Sequence, residues 1–180
     1  MKWTLRLAEL ADAPALEELI AFSVEGLQAE SYSSAQRAAA LGPVFGVDQQ
    51  LILDGTYFVV EEDSAIVGCG GWSRRRAMYG GDRARVGEDA PLDPQHDPAR
   101  IRAFFVHPQW ARRGIGRVLL RSCEAAIRAA GFIRAELVAT LPGEPLYASA
   151  GYSVIERYEA PLKDGLSLPV VRMGKIFSAE

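Results

Sequence analysis

The stretch Val106-His107-Pro108-Gln109-Trp110-Ala111-Arg112-Arg113-Gly114-Ile115-Gly116-Arg117 decides the predicted fold of this chain. An apolar run at residues 101–106 predicts a strand that leads into it, and an amphipathic pattern predicts a helix that leaves it. Glycines at 114 and 116 let a ligand approach the backbone closely, because no Cβ stands in the way. A helix start presents unpaired N–H groups and a positive dipole end, which suit a phosphate. We therefore expect this stretch to bind a pyrophosphate group, with added positive charge from Arg112, Arg113 and Arg117.

The helix prediction rests on the spacing of apolar residues along one side. These residues are Ile115, Val118, Leu119, Cys123, Ala126, Ile127 and Ala130. Gly131 is suited to ending the helix. Taken alone, a G-x-G before a helix is equally compatible with a tight turn that binds nothing. Two other phosphate motifs are excluded, because Leu119 replaces the third glycine of G-x-G-x-x-G and no G-K-[ST] follows a glycine-rich loop.

The strand, the V-x-P step, the R-R-G-I-G run and the long helix together resemble the coenzyme A motif of the GNAT acyltransferase superfamily. The family motif, Q/R-x-x-G-x-G/A, aligns with residues 111–116. Ala111 departs from its first position, but the family holds pyrophosphate mainly through backbone N–H groups, which alanine also has. The resemblance extends from Trp3 to Lys175, and its specific motifs lie within residues 101–152.

The resemblance implies an α/β (α+β) fold, with a GNAT-like mixed central sheet and helices on both faces. Strands four and five, here residues 100–106 and 134–140, would splay apart and receive acyl-CoA in the opening. Main-chain groups of the fourth strand would pair with the pantetheine arm and stabilise an oxyanion. Acetyl-CoA is the implied cofactor, and the residues assigned to it are Phe105, Val106, Arg112, Arg113, Gly114, Ile115, Gly116 and Arg117.

The remaining pattern predicts one domain over residues 1–180, a length that allows a proper core. Strands are predicted at residues 3–7, 55–62, 65–72, 101–106, 135–139, 152–158 and 169–176. Helices are predicted from residue 13 and at 33–40, 115–130 and 143–150. Asp12 is the expected cap of the first helix, and Ser33 or Ser34 that of the second. No hydrophobic period runs through residues 73–99, which predicts a long excursion loop.

Tyr147 is the candidate catalytic residue. It stands in Leu146-Tyr147-Ala148-Ser149-Ala150-Gly151-Tyr152, which resembles the L-Y-x-x-x-G-F/Y element of the family, where the tyrosine lies beside the CoA sulfur. A phenol there can protonate a departing thiolate. The alternative is an aromatic residue that only packs a short helix onto the sheet. Tyr152 is expected in the core.

The general base stays open at this stage. A primary amine has a pKa of about 10.4, so a base or a water wire is useful at neutral pH. Many family members place a glutamate on the fourth strand, but residues 100–106 hold no carboxylate. His107 precedes a proline and is expected in a turn, and Cys123 lies on the buried stripe of its helix. The candidates are an ordered water, Glu25, Glu30, Glu61 and Glu62.

Composition excludes several classes of protein. A net charge of −3 argues against nucleic acid as the main partner, and no apolar run approaches the about 18 residues of a membrane span. Two cysteines among apolar neighbours indicate reduced, buried thiols and a cytoplasmic protein, and two histidines without ligand spacing disfavour a metal site. Arg74-Arg75-Arg76 is expected in a solvated loop, with a rim for an acidic substrate or the CoA 3′-phosphate as the alternative.

Three functional hypotheses follow. The first is an acetyl-CoA-dependent N-acetyltransferase acting on a primary amine of a small molecule or amino acid. The others are a non-catalytic acyl-CoA sensor on the same fold and an unrelated α/β phosphate binder. By resemblance, the acceptor would lie near residues 23–45 and 158–170, where Glu25, Glu30 and Asp164 could meet a cationic amine. A homodimer through the last strands is also implied by resemblance.

Overall fold

The computed structural model describes residues 3–81 and 89–178. Its strands are β1 (Thr4–Leu7), β2 (Tyr57–Glu62), β3 (Ala65–Ser73), β4 (Ala99–Val106), β5 (Arg134–Thr140), β6 (Ser153–Pro161) and β7 (Ser167–Ile176). Its α-helices are α1 (Ala13–Leu27), α2 (Ser34–Ala40), α3 (Gln49–Leu53), α4 (Ile115–Ala129) and α5 (Glu144–Ser149). Within the described residues these strands form one seven-stranded sheet in the order β1-β2-β3-β4-β5-β7-β6. Every pairing is antiparallel except that of β4 with β5.

Helices cover both faces of the sheet, as the resemblance implied. On one face α1, α2 and α3 pack over a core that contains Leu16, Ile20, Leu51, Tyr57 and Phe105. On the other face α4 buries Ile115, Leu119, Cys123 and Ile127 of the predicted stripe, and also Leu120, which the stripe did not include. Tyr147 and Tyr152 are buried on the same face. The long run of apolar residues in β3 and β4 is explained by this arrangement, because a strand covered on both faces has no solvent side.

The hairpin of β2 and β3 confirms the predicted pair of strands. Asp63 and Ser64 form its turn with φ values of 50° and 66°. Two consecutive residues with positive φ are typical of a type I′ turn, whose twist matches that of the flanking strands.

The helix caps were predicted with mixed success. Ser33 does cap α2, because its hydroxyl accepts a hydrogen bond from the Gln36 N–H at 3.1 Å. Asp12 is the N-cap residue of α1, as predicted, but its side chain makes no cap hydrogen bond to that helix and accepts instead from the Glu9 N–H at 2.7 Å. Its carboxylate is held by the Arg6 guanidinium at 2.7 and 2.9 Å, which also lowers the pKa of Asp12.

The strands β4 and β5 separate almost as soon as they meet. Their register contains only the pairs Ala99–Ala135 and Arg100–Glu136. Beyond them β5 stays paired with β7 along its whole length, and β4 stays paired with β3. A bulge in β4 at Ala103, with φ of 58°, shifts the register against β3 at the same level. The result is a wedge-shaped opening in the middle of the sheet.

A short helix and a buried ion pair were not predicted. Asp48 begins α3, and its carboxylate accepts a hydrogen bond from the Gln50 N–H at 3.1 Å. The same carboxylate lies 2.8 Å from the guanidinium of Arg102 on β4, with exposed side-chain fractions of 1% and 3%. The pair therefore ties α3 to the strand that borders the opening.

The described parts of the excursion between β3 and β4, up to residue 81 and from residue 89, contain no helix or strand of the sheet, as predicted, but they are anchored. The Arg75 guanidinium binds Asp54 at 2.7 and 2.9 Å, and Leu92 is buried in the core. Residues 82–88 of the predicted loop lie outside the described residues. Among the helices described, none is both long enough and apolar enough to cross a membrane.

Asp48→Asn should destabilise the protein strongly, because it removes the carboxylate charge that lies 2.8 Å from the buried Arg102 guanidinium, while asparagine still caps α3. We expect a loss of about 3–5 kcal/mol in the free energy of unfolding, measured by urea denaturation. The control is Glu144→Gln, which breaks the exposed pair of Glu144 and Arg157 and should cost less than about 1 kcal/mol. Equal losses in the two variants would contradict the structural role given to the buried pair.

Candidate active site

A cavity of about 720 Å³ occupies the opening between β4 and β5. It extends through the sheet, because its lining includes Phe105 from one core and Tyr147 from the other. The cavity has three parts. The cradle is residues 111–117, the opening is the space between β4 and β5, and the α1 end is formed by Ser23, Leu27, Gln28, residues 44–46, residues 78–80, Ala160 and Val170.

The backbone of the cradle is shaped for a ligand. Arg112 and Gly114 have φ values of 63° and 92°, in the left-handed region. Gly114 begins α4 without any side-chain cap, and the Val118 N–H donates to its carbonyl at 3.0 Å. The three N–H groups before Val118 therefore precede the first intrahelical bond and lie at the positive end of the helix dipole. These belong to Ile115, Gly116 and Arg117.

The arginines of the cradle are not equivalent. Arg112 and Arg117 are exposed and line the cavity, where their charge adds to that of the helix dipole. Arg113 is also exposed but is not among the residues that line the cavity.

Gly116 brings the cradle close to α5. A Cβ at this position would lie 3.0 Å from Cδ2 of Leu146, so a larger residue would require the Leu146 side chain to shift by a few tenths of an ångström. The residue after Leu146 is Tyr147, which the close approach places at the cavity.

Tyr147 is buried, with 7% of its surface exposed, and it lines the cavity. Its ring packs edge-on against Phe104 and Tyr152, with centroids 6.0 Å apart in each case. Burial is the main cause that raises its pKa, and Cys123 nearby raises it further. The phenol is therefore a neutral hydrogen-bond donor at every physiological pH. Tyr152 is in the core, as predicted.

The edge of β4 offers a backbone donor to the opening. The His107 N–H donates to Val67 of β3 at 2.9 Å, so the alternation of the ladder turns Val106 N–H toward the opening. There it donates to the Ser23 hydroxyl of α1 at 3.3 Å. Phe105 pairs with Cys69 of β3, and its ring packs against Phe45 with centroids 6.0 Å apart.

The four candidate carboxylates all lie away from the cavity. Glu25 is 76% exposed and binds Arg37 at 3.2 Å, while Glu30 is exposed. Glu61 binds Arg6 at 2.6 Å, and Glu62 accepts a hydrogen bond from the Trp110 indole. Within the described residues the lining contains no carboxylate, and the predicted acceptor contact Asp164 is not part of it either.

Residues 23–45 and 158–170 do contribute to the lining, but through side chains that the sequence did not single out. Ser23 and Gln28 are buried polar residues of α1 and its C-cap, and Arg102 reaches the cavity from β4. Residues 78–80 join them from the excursion loop. No local pattern indicates these residues, because contacts between distant segments bring them together.

The other candidate groups have structural roles. Arg75 is bound to Asp54, Arg74 lies over Trp72 at 5.2 Å, and no residue of this arginine run lines the cavity. His107 stands in a turn, as predicted, where its ring nitrogen accepts from the Gln109 N–H at 3.2 Å. In the part of the chain that the structure describes, no cluster of His, Cys, Asp or Glu could hold a metal ion.

Comparison with known families gives one clear match. Residues 53–154, more than half of the chain, match the family model described as an acetyltransferase (GNAT) domain. No curated protein matches the sequence.

Solved structures share the fold across nearly the whole chain. A GCN5-related N-acetyltransferase from Rhodopseudomonas palustris is 22% identical, with a TM-score of 0.72 and coverage of 98% of this chain and 97% of that one. The PaiA N-acetyltransferase from Thermoplasma acidophilum, solved with coenzyme A, is 15% identical, with a TM-score of 0.69 and coverage of 98% and 100%. YncA from Salmonella typhimurium, solved with its cofactor acetyl-CoA, is 19% identical, with a TM-score of 0.65 and coverage of 100% and 96%.

Both thiols should be inert in the folded protein. Cys69 and Cys123 are buried, and burial raises the pKa of Cys69 to about 12 and that of Cys123 further. Titration of the native protein with a chromogenic disulfide reagent at mildly alkaline pH should detect neither thiol, and titration in guanidinium chloride should detect both. A thiol that reacts rapidly in the native protein would contradict the exclusion of Cys123 as a nucleophile.

Proposed function

The chain belongs to the GNAT acetyltransferase family, and from that membership we propose that it transfers the acetyl group of acetyl-CoA directly to a primary amine of a small molecule or amino acid. The observation that carries the proposal is the cavity itself. It joins a pyrophosphate-type cradle at one end to a buried phenol in the opening and to a separate α1 end.

The residues present fit coenzyme A. The N–H groups of Ile115, Gly116 and Arg117, with the charges of Arg112 and Arg117, would hold the diphosphate. The Val106 N–H, which donates to the Ser23 hydroxyl in this structure, would donate to an amide carbonyl of the pantetheine arm in the opening. When bound, acetyl-CoA supplies an acetyl thioester, which is activated toward attack by an amine.

Tyr147 is proposed as the proton donor. Its Oη lies in an apolar part of the cavity, and its raised pKa keeps the phenol protonated, so that it can donate a hydrogen bond to a group beside it. A thiolate of pKa about 8.5 in water becomes a stronger base in such surroundings, because burial disfavours its charge. The phenol is thus suited to protonate or hydrogen-bond a leaving sulfur.

A water molecule is the base that the geometry supports. Glu25, Glu30, Glu61 and Glu62 all lie outside the lining, and three of the four are engaged by other side chains. The amine would then enter the cavity uncharged, or lose its proton to solvent on the way.

A non-catalytic sensor is the second candidate, and the absence of a carboxylate among the described lining residues favours it. The two proposals differ in one measurable product, since only a transferase releases free CoA when an amine is added. The free, buried thiols support a cytoplasmic location for either activity.

Gly114→Ala tests the cradle. Alanine at a φ of 92° should cost about 1–2 kcal/mol of stability and displace the N–H groups, so that affinity for coenzyme A falls at least about tenfold in titration calorimetry. The control is Gly165→Ala in the turn between β6 and β7, where φ is 70° and nothing lies within 4 Å of the added Cβ. It should lose similar stability and keep full affinity. An equal loss of affinity in both variants would argue against a diphosphate at Gly114.

Tyr147→Phe tests the proton donor. Turnover should fall about a hundredfold, because the phenol is removed, whereas the Kd for acetyl-CoA should stay nearly unchanged. Since the pKa of Tyr147 is raised above the ordinary 10.0, the native enzyme should show no loss of turnover from phenol ionisation up to about pH 10. Turnover of the variant equal to that of the native enzyme over this whole range would exclude the role.

A further inference from the structure

The α1 end of the cavity has mostly apolar walls. Phe45, Ala160 and Val170 are buried there, and Leu27, Val44 and Met78 complete the walls. Such walls favour a ligand with an apolar body, because its burial removes apolar surface from water.

Gln28 is the polar exception among these walls. The residue is 6% exposed, and its amide oxygen is buried and accepts no hydrogen bond from any described residue. A buried acceptor without a donor is unfavourable, so a bound group that donates to it gains both the hydrogen bond and the relief of that cost. We therefore expect the Gln28 amide oxygen to accept a hydrogen bond from a ligand bound at the α1 end.

Arg102, which lines the cavity from β4 and contacts Gly80 of the α1 end, is engaged by other groups of the protein. The Arg102 guanidinium lies 2.8 Å from the Asp48 carboxylate and donates to the Gly80 carbonyl at 2.5 Å. Among the described residues that line the cavity there is no carboxylate to pair with a cationic body, and Arg102 would repel one. An uncharged ligand body is favoured over a polyamine or a lysine-like chain.

The pKa of the acceptor amine affects the rate, because only the neutral amine can attack the thioester. If the amine loses its proton to water, because the described lining residues include no carboxylate, the neutral fraction of the amine in solution limits the rate. An α-amino group has a pKa of about 7.8 and a side-chain amine one of about 10.4, which makes the neutral form about 300 times more abundant for the α-amino group at pH 7.

We infer that the acceptor is the α-amino group of an amino-acid amide with an apolar side chain, and that Gln28 positions it by accepting a hydrogen bond from the amide N–H. This inference rests on the proposed transferase function. The nitrogen forms the new C–N bond as the C–S bond breaks. Its proton leaves to water, the sulfur gains one from Tyr147, and Tyr147 regains a proton from water, so the products are an amide and a free thiol. Free amino-acid amides and peptide N-termini share this chemistry.

An acceptor panel tests the substrate class on the full chain with acetyl-CoA, with free thiol as the readout. Phenylalaninamide and a short peptide with N-terminal phenylalanine should exceed Nα-acetyl-lysinamide and spermidine at least about a hundredfold in kcat/KM at neutral pH. The ratio of kcat/KM for phenylalaninamide to kcat/KM for the peptide shows whether the natural acceptor is a free amino-acid amide or a peptide N-terminus. The two acceptors differ only beyond the group that they share. Preference for spermidine or the lysine derivative would overturn the inference.

Gln28→Met tests the positioning residue, because methionine keeps the volume and removes the amide. The matched substrates are phenylalaninamide and 2-phenylethylamine, which has the ring and the amine but no amide. The preference for phenylalaninamide over phenylethylamine should fall about tenfold in Gln28→Met, with the Kd for acetyl-CoA unchanged. The control is Gln95→Met, an exposed residue outside the cavity, which should keep the native preference.

The outcomes distinguish failure of the inference about Gln28 and the acceptor from failure of the transferase function. If Gln28→Met slows both substrates equally, its role is structural and the positioning inference fails. If lysine-type amines are the better acceptors, the inference fails while the transferase function stands. If no acceptor releases thiol although coenzyme A binds, the transferase function fails and this inference fails with it.

Discussion

The separation of β4 from β5 is the constraint on which the rest of the site depends. Two residue pairs hold the strands together at one end, and beyond them each strand keeps only its outer neighbour. Separated strands leave backbone groups without ladder partners, and such groups are unfavourable in a protein interior unless something else binds them. At Val106 that partner is Ser23 of α1, across the opening. The cavity is therefore a direct consequence of incomplete pairing in an otherwise continuous sheet.

The same opening brings the functional groups to one cavity. The chain leaves β4, turns at Gly114 and starts α4, so the N–H groups of the helix lie at one mouth of the opening. The chain leaves β5 and starts α5, so Tyr147 lies beside it. Helix α1 and residues 44–46 close the other side with apolar walls and Gln28. Each group reaches the cavity because it follows or faces one of the two separated strands.

Local patterns predicted what local physics determines. The apolar spacing of α4 and the residue patterns of the strands are properties of adjacent residues, and the structure confirms a helix and seven strands at these places. The pair of Asp48 and Arg102 joins residues far apart in sequence, and α3 is too short to show a helical period. The carboxylates were ambiguous for a related reason, because Glu61 and Glu62 look alike in sequence and only the fold shows that both are engaged away from the cavity.

A crystal structure of the protein with coenzyme A would show where the cofactor binds. If the opening is the binding site, the diphosphate will lie within hydrogen-bonding distance of the N–H groups of residues 115–117. The pantetheine arm will then lie between β4 and β5, beside Val106, with its thiol end near Tyr147. Coenzyme A bound on another surface, with the opening between β4 and β5 empty, would contradict the central claim that incomplete strand pairing creates the binding site.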